Sequence, residues 1–365
     1  MSRSSEVFPY LQDRGRLLEV DGFPVKSISS NVRFPIVWSS VRIQPEGIAM
    51  EGDLLLVKAL TDGARNQIEN SDGKDCRIYP GDYLIGVLAN RHSGTSESGD
   101  VPLEGIEIQP ETQLQLLAAG GVIGIASGAP SSMRSGLMEL QPVGLLNKED
   151  KQLSLEKIFG PWDENLKPSA PIILVMGTSA EVGKTTASMA ITRALIEDGK
   201  GVGATKFSGT GRMRDIRSLA DAGAMPWLDF PDVGLATTYT SPSRFTPAIY
   251  TLFNLMNSGN PEVIMAEAGG DPIEANVSTF LADSNLMQYV KAAVLVAGDV
   301  MGMMGTVDYL HKFVPNLEIL LAQPRGRNPT TTRERVHALL PGLPLFDSMN
   351  PSEVSNIAKV IKSKL

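Results

Sequence analysis

Lys184 and Thr185 close a glycine-bounded loop within residues 172–186, IILVMGTSAEVGKTT, where an apolar run leads in and a helical pattern leads out. A strand that delivers such a loop into a helix aims backbone N–H groups and the positive end of the helix dipole at one point. There a lysine ammonium meets a β- or γ-phosphate and a threonine hydroxyl meets Mg²⁺. The segment is therefore expected to bind a nucleotide, with Gly177, Thr178, Ser179, Ala180, Glu181, Val182, Gly183, Lys184, Thr185 and Thr186 around the phosphates. The spacing departs from the common phosphate-loop pattern: five residues separate Gly177 from Gly183, and Thr178 stands where the first glycine usually falls.

Two later segments carry residues that a phosphate-transfer site needs. One is KFSGTGRMRD, residues 206–215, and the other is EAGG, residues 267–270. A Mg²⁺ held by Thr185 still needs carboxylate oxygens, and Asp215 and Glu267 are the candidates. Lys206 can balance charge that develops on a transferring phosphoryl group or an acyl phosphate. Arg212, Arg214 and Arg217 either grip an anionic substrate or form a solvated face. Asp271 and Glu274, in GGDPIEAN, either orient substrate or cap a turn.

The elements that must position these residues follow from pattern. Apolar runs at 172–176, 202–205, 263–266, 293–297, 319–322 and 343–346 alternate with helix-like stretches. That alternation indicates a parallel sheet covered on both faces, with ligands at the carboxyl ends of its strands. Residues 32–146 show short β-type runs between turn residues, and two of them match: EGDLLLVK at 51–58 and PGDYLIGV at 80–87. Such a pair suggests a small barrel or sandwich with a weak internal repeat. The polar loop NRHSGTSESGDVP, residues 90–102, is expected to be exposed. The divisions are thus a β-rich domain at 1–150, a linker at 151–171 and an α/β domain at 172–365.

Composition narrows the function classes. At 365 residues the chain favours two domains over one. A formal net charge of −8 argues against wrapping nucleic acid, which needs a basic face. The single cysteine, Cys76, excludes an internal disulfide, residues 1–13 lack the apolar core of a signal peptide, and no apolar run approaches the roughly 20 residues of a membrane span. The expected setting is cytoplasmic, with a small-molecule substrate that is anionic if Arg212, Arg214 and Arg217 grip it, no nucleic-acid or membrane partner, and a homodimeric state.

GTSAEVGKTTAS resembles the phosphate loop of the dethiobiotin synthetase family, which shares the five-residue spacing and the Glu-Val-Gly-Lys-Thr core. Lys206, Ser-Gly, Asp215 and then Glu267-Ala-Gly-Gly resemble that family's subsequent elements in the same order. The resemblance covers roughly residues 172–310 and extends to the wider group that includes cobyrinate amide synthases. It implies a P-loop NTPase fold and ATP- and Mg²⁺-dependent activation of a carboxylate, or carboxylation of an amine, through a phosphorylated intermediate. It also implies phosphate binding by Lys184, a Mg²⁺ shell of Thr185, Asp215 and Glu267, and a substrate-facing Lys206, with either Ser208 or Thr210 as the accompanying hydroxyl. Residues 323–329 stand where an adenine-contacting segment belongs. The β-rich first half has no place in dethiobiotin synthetase itself. A second resemblance, to the D-glutamate N-acetyltransferase family, implies an acyltransferase that holds coenzyme A phosphates in the loop. A nucleotide-gated switch or chaperone module is the third reading.

Overall fold

The two matching Gly-Asp segments launch two neighbouring strands, Leu54–Ala59 and Tyr83–Leu88, which pair antiparallel. Each turn is closed the same way. The Asp53 carboxylate accepts from the Met50 N–H at 2.6 Å, and that of Asp82 accepts from Tyr79 at 2.9 Å. Each glycine N–H then reaches the far end of the other strand, Gly52 to Leu88 and Gly81 to Ala59. The sequence repeat is therefore a local pseudo-twofold in space. Pairing continues through Glu139–Lys148, Leu114–Ala118 and Val122–Gly128, and returns to Tyr83–Leu88 through a parallel ladder. These five strands close on themselves, which selects the barrel over the sandwich. The run LLLVKA does not alternate in polarity because both faces are covered. Leu55 and Val57 join one apolar cluster, while Leu54 and Leu56 join another that reaches Leu155 and Ala236 further along the chain.

The protein is described here by a computed structural model covering residues 18–324 and 328–365. The signal-peptide reading of residues 1–13, and residues 325–327 of the candidate adenine segment, fall outside the described residues.

The second half forms a seven-stranded sheet in which every pairing is parallel. Its strands are β1 (Ile172–Gly177), β2 (Val202–Lys206), β3 (Trp227–Asp229), β4 (Val263–Glu267), β5 (Val290–Val296), β6 (Ile319–Ala322) and β7 (Leu345–Phe346), in the spatial order 3-2-4-1-5-6-7. Six of them coincide with the apolar runs. The short edge strand β3 has no apolar run to announce it. Alternate residues of β1 enter different cores. Leu174 and Met176 pack with α3 (Pro242–Ser258) and α4 (Val300–Phe313), whereas Ile173 and Val175 pack with α1 (Lys184–Glu197), α2 (Met213–Asp221) and α5 (Pro351–Lys362). This is a P-loop-type α/β domain preceded by a β-rich domain.

The segment at 151–171 is pinned. Thr251, Asn254 and Asn257, at successive turns of α3, accept from the backbone N–H groups of Asp163, Lys167 and Ala170 at 2.6, 2.8 and 2.8 Å. The two halves also grip each other directly. Glu69 of the β-rich half is fully buried and accepts from the N–H groups of Met213 and Arg214, at 2.6 and 3.0 Å. It thereby caps α2, whose own N-cap residue makes no side-chain bond. Arg33 lies between Asp229 and Asp232 with both partners largely out of solvent, and also donates to the Gly211 carbonyl at 3.2 Å.

Removing one member of a buried ion pair leaves the other uncompensated. Arg33→Ala should therefore destabilise the chain by about 3–5 kcal/mol through the stranded Asp229. The urea midpoint of unfolding measures this, and a loss below about 1 kcal/mol would show that the pair does not anchor the interface.

Candidate nucleotide and substrate cleft

The phosphate loop emerges from β1 at Gly177, where a Cβ would meet Val182 at 2.7 Å and the Lys184 side chain at 2.9 Å. Only glycine lets the loop fold back this tightly. Gly183 then caps α1 with φ +107° and no side-chain bond. Among the described residues, the N–H groups from Glu181 to Thr186 donate no backbone hydrogen bond. Six donors at a helix N-terminus are thus left for an anion. The Lys184 ammonium meanwhile bonds the carbonyls of Ser179 at 2.6 Å and Gly270 at 3.1 Å.

Glu267, at the end of β4, is buried and accepts from the hydroxyls of Thr185 and Ser188, each at 2.8 Å. Burial pushes its carboxyl up, with Lys206 partly offsetting this. Thr185 and Glu267 also line the cleft, so a hydroxyl and a carboxylate stand together where Mg²⁺ would take them directly or through water, and its charge would relieve the buried anion. That donor set fits the ion. Asp215 lines the same cleft, but its carboxylate is paired with Lys206. Burial acts against charge on both, yet each outweighs it for the other, raising Lys206 and lowering Asp215. The structure therefore brings Thr185 and Glu267 into contact and gives Asp215 to the lysine.

The loops after β2 and β4 touch. A Cβ on Gly269 would lie 2.4 Å from the Ser208 carbonyl, so this approach requires glycine. Ser208 is fully buried, accepts from Gly269 N–H at 2.8 Å and donates to its carbonyl at 3.3 Å, while Gly209 and Thr210 line the cleft. Thr210 is the one of the two hydroxyl residues on the cleft wall. Asp271 accepts from the N–H groups of Ile273 and Glu274, which makes it a turn cap. Glu274 accepts from Gly94 at 2.7 Å and Tyr239 at 3.0 Å, tying the β-rich half to the loop after β4.

The cleft, about 570 Å³, lies between the two halves. Sequence reasoning missed the contribution of the first half. The loop expected to be exposed instead places Ser93, Thr95 and Ser96 on the cleft wall and buries Glu97 completely. A glutamate inside a Gly/Ser-rich loop carries no local signal of burial: of its partners, Arg65 is 32 residues away and Arg91, at the start of the same loop, reads as an ordinary surface charge. The arginines of α2 divide: Arg212 pairs with Asp75, Arg217 bonds the Asp72 carbonyl, and Arg214 has no side-chain partner among the described residues.

The strand, loop and helix on this sheet define a P-loop-type α/β domain. No protein-family model and no curated protein matches the chain. Solved structures similar to it include the signal recognition particle 54 kDa protein of Aeropyrum pernix in complex with GDP, at 17% identity and TM-score 0.33, covering 57% of this chain and 52% of that one. HypB of Helicobacter pylori in complex with nickel is 15% identical with TM-score 0.35, covering 54% and 87%. The cell division protein FtsY of Thermotoga maritima is 18% identical with TM-score 0.30, covering 57% and 79%. The chain spans about half the length of the first of these. Among the described residues, no helix is long and apolar enough to cross a membrane.

Burial pushes the Lys184 ammonium down to about 8, with Glu267 opposing and Lys206 adding to the shift. Phosphate binds the charged form. Nucleotide affinity should therefore hold below pH 8 and weaken above it, by up to about tenfold per pH unit. Lys184→Ala should lower affinity at least about tenfold at pH 7 and abolish that pH dependence. Calorimetric titrations from pH 6.5 to 9.5 decide both points, and a wild-type affinity flat across pH 8 would contradict the first.

Proposed function

We propose that the chain is an ATP- and Mg²⁺-dependent enzyme of the dethiobiotin synthetase-like kind. In this reading it activates a carboxylate, or carboxylates an amine, of a small anionic metabolite through a phosphorylated intermediate. One observation carries the reading: Lys184, Thr185, Glu267 and Lys206 line a single cleft whose other wall is a different domain, so the end of a bound triphosphate would face a second ligand. The loop N–H groups and Lys184 hold the phosphates. Thr185 and Glu267 would hold Mg²⁺, which neutralises charge on the end phosphates when bound. An acceptor oxygen forms its bond to the γ-phosphorus as the bond from that phosphorus to the β–γ bridging oxygen breaks, and ADP leaves with the electron pair. Lys206, held by Asp215, faces the charge that builds on the transferring group.

A nucleotide-gated module is the second reading, favoured by the Glu69 cap through which the β-rich half holds α2. Incubation with ATP or GTP, Mg²⁺ and a metabolite pool, followed by nucleoside diphosphate release and new masses, separates the two. Product masses appearing in step with ADP support the enzyme. Slow hydrolysis with no new mass supports the switch, and acyl transfer from acetyl-coenzyme A without ADP supports the acyltransferase.

If Lys206 acts on the transferring group, Lys206→Met should lower kcat about 100-fold while ATP affinity changes only a few-fold. Lys206→Arg should restore little, because a planar fork does not replace a compact ammonium. The substitution strands Asp215, so the paired variant Lys206→Met with Asp215→Asn controls for stability. Full turnover in that double variant would remove Lys206 from the chemistry.

A further inference from the structure

Opposite the phosphate loop, the cleft wall is built from an arginine pair whose position is fixed from within. Glu97 is completely buried and accepts from Arg65 Nε and Nη2 along one guanidinium edge, from Arg91 at 2.7 Å and from the Ser96 hydroxyl. Burial would push this carboxyl up, but the Arg65 hydrogen bonds and the Arg91 charge outweigh it and hold it below the usual carboxylate range. Arg91 also donates to the Leu117 carbonyl. One buried anion thus braces two cations, leaving the cluster with a net positive charge on the cleft surface.

Their bonding capacity is not used up. The Arg91 Nε is buried with no partner. Among the described residues, Arg65 Nη1 and Arg91 Nη2 also make no hydrogen bond. A buried guanidinium N–H left unpaired is costly, and an oxygen ligand would satisfy it. Ser93, Thr95 and Ser132 add hydroxyls on the same wall, and Arg214 adds a cation from the α/β half.

We propose that Arg65 and Arg91 form a carboxylate-binding subsite for the second substrate, which is therefore a small molecule with a carboxylate handle and a separate reacting group. The proposal rests on the phosphoryl-transfer reading of the cleft and deepens it. With Glu97 holding both arginines in place, the unused Nε/Nη2 edge of Arg91 and the unused Nη1 of Arg65 match a planar, two-oxygen anion. A carboxylate held by two arginines has its lone pairs engaged, which makes it a poor nucleophile and a good anchor. Anchoring one end of the substrate directs its other end toward Lys206 and the phosphate loop across the same cleft.

The test is calorimetry on the full chain without nucleotide, titrating succinate, glutarate and adipate, with their diamides as neutral controls and inorganic phosphate as a competing anion. At least one diacid should bind and its diamide should not. Arg65→Gln and Arg91→Gln should each weaken that diacid at least about tenfold, and by more than any change in ATP affinity. Arg65→Lys, which keeps the charge and loses the fork, should fall between wild type and Arg65→Gln and guards against misfolding of the bolder variants. Diacids that fail to bind, variants that bind as well as wild type, or phosphate displacing every diacid would each overturn the proposal. These titrations omit nucleotide, so their failure leaves the ATP chemistry standing, and a chain that binds diacids without ATP turnover would refute the proposed function alone.

Discussion

A carboxylate removed from water must be compensated, and the way Glu267 is compensated organises the nucleotide half. Its two oxygens take the hydroxyls of Thr185 and Ser188, which stand three apart and so share one face of α1. Hydrogen bonds to a charged acceptor are worth roughly 1.5–3 kcal/mol each, enough to fix the rotation of a helix about its axis. With α1 so fixed, the phosphate loop has both ends anchored, one in β1 and one at the start of the helix. Hydroxyls share the charge of Glu267 without cancelling it, so its oxygens stay suited to a divalent cation.

The β-rich half meets the same constraint with a different solution. It caps α2 with its own buried Glu69, covers the buried Asp229 of the α/β half with Arg33, and holds its own buried Glu97 with two arginines. Separating the halves would break the Glu69 cap of α2 and the Arg33–Asp229 pair, so these bonds hold the two in register. The interface is polar, but its geometry is specific, and that specificity places the arginine wall opposite the phosphate loop.

The α/β half was legible because its determinants are local. Continuous apolar runs such as IILVM and VIMA have one structural use, and a glycine-bounded GKTT after such a run has another. Glu267 was named with Asp215 as a metal carboxylate for Thr185, and the structure brings Glu267 to that hydroxyl. Asp215 was expected at the metal, but whether a carboxylate meets a metal or a lysine depends on which neighbour a helix turn presents, and the structure gives it to Lys206. The cleft's second wall was illegible for a related reason. Arg65, Arg91 and Glu97 look like ordinary surface charges until the barrel closes and turns them inward. The repeat of the Gly-Asp turns was visible, whereas its consequence, two strands exchanging ends, is a property of the closed barrel.

Helix α2 is the element on which these forces meet. Its N-terminus is capped by Glu69 from one domain, and its first turn carries Asp215, paired with Lys206 at the end of β2 in the other. A ligand that draws Lys206 toward a phosphate competes with Asp215 for the ammonium, and any relaxation of Asp215 acts on a turn that Glu69 holds. Glu69 lies four residues from Arg65 in sequence, on the same wall-forming stretch of the β-rich half. The Lys206–Asp215 pair, the α2 backbone and the Glu69 cap thus form one contiguous set of bonds from the end of β2 to the β-rich half. Two ligands on opposite walls would be coupled only if α2 moved when Lys206 left Asp215 for a phosphate, and the two charge-assisted bonds of the Glu69 cap oppose that movement.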